Sequence, residues 1–220
     1  MVLLGVEVIK MQAVVEVPVF DTESPQPWPV ASVAAGSWLA LDAGCTDEEV
    51  GLFVGTLAHR LDVESPGGRD EVVARLLAEE ILIVAGGLRL LDMVTGMAVV
   101  PGCCAGLEGW RDWGQVLTGG SPWLGHDPWP EVEIGSDGDL RVWQAGGANR
   151  HHGRWAGTSV VLPRLILPDL LRNVRQDLVG FLALVKQWTG RSGLGENGTA
   201  LVEAIDRNFT ITAPLDLPID

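Results

Sequence analysis

Apolar side chains recur along the chain in two rhythms, and glycine and proline mark the switches between them. Residues 2–19 are rich in valine, with Met11, Ala13, Val15, Val17 and Val19 on one parity. That alternation predicts one long strand or a strand pair, and Pro18 suits an edge. Residues 21–29 (DTESPQPWP) form a proline-rich connector that carries Trp28. The period then becomes helical. Thr46-Asp47-Glu48-Glu49 has the form of a capping box, and Val50, Phe53, Val54, Leu57, Ala58 and Leu61 follow it, which predicts a helix over 47–61. Ser65-Pro66-Gly67-Gly68 breaks it. Val72, Val73, Leu76, Leu77, Ile81 and Val84 predict a second helix over 70–84 that Gly86-Gly87 would stop, although the β-branched end, 81–84, also fits a buried strand.

Residues 88–92 and 97–100 read as a hairpin, and 106–117 as a short helix from Leu107, Trp110, Trp113 or Gly114, and Leu117. Residues 131–134 and 140–144 flank Asp137-Gly138, a strong turn signal, and predict a second hairpin. A strand over 158–162 precedes Pro163. The longest helix is predicted over 169–188, with Asp169 as its cap, a stripe of Leu171, Val174, Leu178, Phe181 or Leu182, Val185 and Trp188, and Gly190 at its end. The glycine-rich run 193–198 reads as a linker before a last helix over 199–208, and 213–220 as a surface tail. Helices and strands alternate without a regular βαβ rhythm. The expected fold is therefore a single α+β domain over 1–220, a mostly antiparallel sheet with about four helices, with a possible subdivision near 86–100 and a loop-rich tryptophan region at 101–144.

Composition changes this picture little. With 220 residues and 47% hydrophobic content, the chain is long enough to bury roughly 70% of its unfolded surface without a disulfide or metal staple. Three cysteines, Cys45, Cys103 and Cys104, show no disulfide framework. Residues 1–10 carry Glu7 and lack a basic leader, so they read as a strand, and no apolar run approaches a membrane span. A reducing, cytoplasmic setting is the expectation.

Charge changes it more. The formal net charge is −14, and 22 acidic against 6 basic side chains lie in 1–139, whereas 140–220 hold 7 against 9. An acidic surface repels nucleic acid and suits a basic protein partner, although it also serves solubility alone. Arg141, Arg150, Arg154 and Arg164, with His151 and His152, form a local cationic island.

Chemistry concentrates in 101–144. Five of the nine tryptophans fall there, Trp110, Trp113, Trp123, Trp129 and Trp143. Such rings either fill the core where glycine and proline loops leave gaps or build a binding face, and the second use points to Trp110, Trp113, Trp123 and Trp129. The punctuated loop 119–130, with His126 and Asp127, is the first choice of site. Arg150, His151, His152 and Arg154 suit a small anionic ligand, and an enzyme would pair them with His126 and Asp127 as acid and base. Cys103, Cys104, His126, His151 and His152 contain the ligand types of zinc, but adjacent cysteines are not a knuckle spacing, and two ordinary thiols, at least one of them buried, is the plainer expectation. No nucleotide-binding, hydrolase or zinc-protease motif is present, and no cofactor is expected.

The stretch 101–113 (PGCCAGLEGWRDW), continuing to Trp123-Leu124-Gly125-His126-Asp127-Pro128, resembles small proteins without an assigned activity from high-GC actinobacteria, as does the preference for 13 arginines over 2 lysines. The resemblance implies no catalytic residue. In general character the chain is also similar to cytosolic immunity proteins. The expected function is a non-enzymatic binding protein that engages a partner through its tryptophan-rich loop face, with an immunity-type role as its sharpest form.

Overall fold

In the computed structural model, which describes residues 9–20, 26–61, 68–127, 129–145 and 157–218, the capping box at Thr46 forms as its sequence requires. Glu49 N donates to Thr46 Oγ1 at 3.2 Å, and Thr46 N donates to Glu49 Oε2 at 2.7 Å. Each satisfies an amide that the first helical turn leaves without a partner, a contribution of about 1 kcal/mol. Helix α1 (Asp47–Ala58) follows.

The architecture is α+β. Four α-helices occur among the described residues: α1, α2 (Arg69–Ala78), α3 (Leu167–Arg191) and α4 (Gly195–Phe209). The strands are β1 (Ile9–Glu16), β2 (Trp38–Ala40), β3 (Gly86–Asp92), β4 (Ala98–Val99), β5 (Glu131–Ile134), β6 (Asp139–Trp143) and β7 (Ser159–Pro163), in two sheets of order β2-β1-β3-β4 and β5-β6-β7. The chain divides into two compact units, each assembled from separate segments: Met1–Ala13, Gly86–Val174 and Leu215–Asp220 in one, Val14–Ala85 and Arg175–Pro214 in the other. No helix among the described residues is long and apolar enough to cross a membrane.

The core of the second unit is aromatic. Phe53, on α1, meets Phe181 edge-on at 5.0 Å and Phe209 at 6.4 Å. Trp28, from the proline-rich connector, meets Trp188 at 5.4 Å and donates its Nε1–H to Gly51 O at 2.8 Å. Helix α2 ends earlier than its periodicity predicts, at Ala78, because Glu79 is already extended. In the stretch that follows, Leu82 and Val84 are buried while Ile81 and Ile83 are exposed. That is a period of two, the alternative open for a β-branched segment. Gly86 and Gly87 do not stop a helix but begin β3, where Gly87 takes φ +142°. The glycine-rich 193–198 is not wholly a linker either: Gly195 opens α4, and Gly198 lies against Thr189 Cβ, where any added Cβ would come within 2.8 Å. Helix α3 starts two residues before Asp169, which lies in its first turn and pairs with Arg172 instead of capping it.

In the first unit, β5, β6 and β7 form an antiparallel sheet with Glu131 opposite Trp143 and Asp139 opposite Pro163. Gly138, at φ +87°, supplies the left-handed turn between β5 and β6. Residues Leu107–Thr118 are helical, but as a 3₁₀ helix. Its buried side chains, Leu107, Trp110, Trp113 and Val116, recur every third residue, and only a helix of three residues per turn puts all four on one face.

Candidate functional site

Two segments of the first unit meet in a short antiparallel bridge. Gly102 N donates to Leu124 O at 2.8 Å, and His126 N donates to Cys103 O at 2.9 Å, so Cys103 stands opposite His126. Gly125 makes this approach possible. Its φ is +89°, and a Cβ there would lie 2.5 Å from Gly102 O and 2.6 Å from Cys103 O. On either side the backbone is again left-handed, at Cys104 (φ 63°) and Asp127 (φ 49°). Such conformations in residues other than glycine cost about 1–2 kcal/mol each and gather where function demands a particular geometry.

The loop 121–130 is anchored and open at once. Pro122, Leu124 and Pro130 are buried, whereas Trp123 and Trp129 remain 55% and 51% exposed. Their rings stand at 86° with centroids 6.5 Å apart, and the His126 ring lies 6.4 Å from the first and 6.0 Å from the second. Ser121, Pro122, Trp123, Trp129, Pro130 and Glu131 line a surface groove of about 380 Å³. Glu131 escapes notice in the sequence, and its one signal is that it follows Trp129-Pro130 directly.

No family model, curated protein or solved structure matches this chain. The roles of these side chains rest on their geometry and chemistry.

Of the residues that the sequence marks, the structure separates some and joins others. Trp110 and Trp113 are not part of the face: at 0% and 2% exposure they are interior, held there by the three-residue period of their helix. Cys103 and Cys104 are both exposed, where burial of at least one is expected from composition; the turn at Cys104 lies on the surface. Their Sγ atoms are 3.5 Å apart. One ligand atom from each of Cys103, Cys104 and His126 lies within 4.8 Å of the others. His126 Nδ1 is 3.3 Å from Asp127 Oδ2, in a pair whose carboxylate is 88% exposed and which water therefore weakens. Arg150, His151, His152 and Arg154 lie outside the described residues.

Cys45 differs from the other two thiols. It is half-buried, its Sγ–H reaches Ala40 O at 3.3 Å, and burial, before any other cause, pushes it up to about 11. At pH 8 about one part in a thousand would be thiolate, the reactive form. We expect a disulfide reagent to titrate two thiols in the native, reduced, metal-free protein, and the third only after denaturation. Three thiols reacting together in the native state would contradict the burial of Cys45.

Proposed function

We propose that this is a non-enzymatic binding protein whose Trp123–Trp129 face receives a basic partner, an arginine- or lysine-bearing segment of another protein. The observation that carries this reading is the pair of half-exposed indoles set at right angles on a surface groove that Glu131 also lines. An indole face attracts a cation within about 6 Å of its centroid, and arginine makes such contacts more often than lysine. Elsewhere the fold answers this attraction internally: Arg111 lies over Trp110 at 4.8 Å and Arg141 over Trp143 at 5.3 Å. Among the described residues no cation covers Trp123 or Trp129. A net charge of −14 adds long-range attraction for a basic chain and speeds its encounter.

The test uses an arginine-rich peptide as probe, titrated by calorimetry at moderate salt. Trp123→Ala leaves the net charge unchanged, so general electrostatic attraction persists and only the contribution of the face is lost. It should weaken binding by more than about 2 kcal/mol, the loss typical of a hot spot. Equal affinity of wild type, Trp123→Ala and Trp129→Ala would overturn the assignment.

A further inference from the structure

We propose that Cys103, Cys104 and His126 form a binding site for zinc, with two thiolates and one imidazole as ligands and solvent in the fourth position. The site stands independently of the partner-binding face, although it shares the same loop.

The donor set is the first argument. Thiolate and imidazole are the usual ligands of zinc, and three protein ligands with one open position is an established coordination for it. Distances are the second. With Zn–S near 2.3 Å and Zn–N near 2.0–2.1 Å, two ligand atoms on a tetrahedral ion stand about 3.5–3.8 Å apart. The two Sγ atoms already stand 3.5 Å apart, and all three ligand atoms lie within 4.8 Å of one another. Both cysteines are exposed and His126 is half-exposed, so the remaining closure of about 1 Å needs only side-chain rotation, with no repacking of the core.

Backbone geometry is the third argument. Adjacent side chains on an extended segment point to opposite faces. The left-handed conformation of Cys104 interrupts that alternation and leaves the two sulfurs together. Across the bridge, the left-handed Gly125 sets His126 opposite Cys103, which joins ligands 23 positions apart in the chain. The spacing, unlike that of a zinc knuckle, has no sequence signature because the turn and the bridge do the work of spacing. Asp127 completes the arrangement. His126 Nδ1 lies 3.3 Å from Asp127 Oδ2, and a carboxylate against one ring nitrogen, with the other nitrogen on the metal, is the common orienting arrangement of a metal-bound histidine.

Binding involves no oxidation. Zinc enters as the dication, each cysteine gives up its thiol proton as its Zn–S bond forms, and neutral imidazole donates its lone pair; the centre carries no net charge. About two protons are released per ion when the thiols start protonated, so affinity rises with pH.

The experiment uses the full chain, stripped with a chelator, reduced with a phosphine and handled without oxygen. Zinc chloride titrated by calorimetry should bind at one ion per chain. Cobalt(II) in its place should give a near-ultraviolet thiolate-to-metal band and the visible bands of a tetrahedral centre. Cys103→Ser, Cys104→Ser and His126→Ala should each weaken zinc binding at least about 100-fold, Asp127→Asn about 10-fold, and Cys45→Ser not at all. Circular dichroism of the metal-free variants should match the wild type, since every substituted ligand is at the surface. Absence of both heat and the thiolate band overturns the proposal, as does a thiolate band that persists in the Cys103→Ser/Cys104→Ser protein or undiminished affinity in His126→Ala. None of these readouts involves the basic peptide, so the metal site and the partner-binding face stand or fall separately.

Discussion

Trp110→Ala is expected to lower the free energy of unfolding by about 3–5 kcal/mol, the range for deleting a large aromatic from a packed interior. Trp110 is 0% exposed and is the largest wholly buried side chain among the described residues. Its neighbours at three-residue spacing, Leu107 and Trp113, are also buried, so removing the indole leaves a void that rigid helical backbone cannot collapse into. Against the total stability of an ordinary domain, about 5–15 kcal/mol, that is a large share. Trp123→Ala provides the contrast. Its ring is half in solvent, and its loss should move stability by no more than about 0.5 kcal/mol while removing part of the proposed binding face. Denaturant unfolding of the two variants side by side measures the difference directly, and equal midpoints would show that the two indoles do not divide into filler and contact surface.

The second large effect belongs to Gly125→Ala. Two penalties coincide at this position. The left-handed backbone disfavours any side chain, and the added Cβ would meet two carbonyl oxygens at 2.5 and 2.6 Å, which belong to backbone and cannot rotate away. The expected outcome is separation of the two segments. The amide of His126 should lose its hydrogen-exchange protection, and zinc affinity should fall at least about 100-fold as the imidazole leaves the sulfurs. Gly119 supplies the control. It has nearly the same φ, +84°, with nothing within 4 Å of the would-be Cβ. Gly119→Ala should therefore carry the conformational cost alone, about 1 kcal/mol, and leave the bridge intact. Retained protection of His126 in Gly125→Ala would mean that the close approach at the bridge is not required.

Local signals account for what the sequence discloses. The capping box at Thr46, the Asp137-Gly138 turn and the long apolar stripe of α3 each act within a few residues, and each forms where its pattern lies. Longer-range competition explains the departures. Ile81 to Val84 continue a helical count, yet β-branched side chains alternating between interior and solvent do better in extended backbone. Leu107, Trp110, Trp113 and Val116 declare a period of three, which is easily mistaken for the 3.6 of an α-helix over a segment of this length. At the proposed site, the sequence marks the loop 119–130 but does not sort its tryptophans into the buried Trp110 and Trp113 and the half-exposed Trp123 and Trp129, because an indole reads the same whether it fills a core or lies in solvent. The union of Cys103 and Cys104 with His126 is hidden for a different reason. It depends on a bridge between segments 23 residues apart at Cys103 and His126, and on two left-handed residues, neither of which leaves a local pattern.

The interleaving of the two units has a practical outcome for anyone who would dissect the molecule. Strand β1 passes from one unit to the other between Ala13 and Val14, and helix α3 does so between Val174 and Arg175. No single cut can therefore liberate an intact half: none gives a fragment that holds all of one unit and nothing of the other. Protease nicking should yield pieces that remain associated until denatured, and gene shuffling would have to move the chain as a whole.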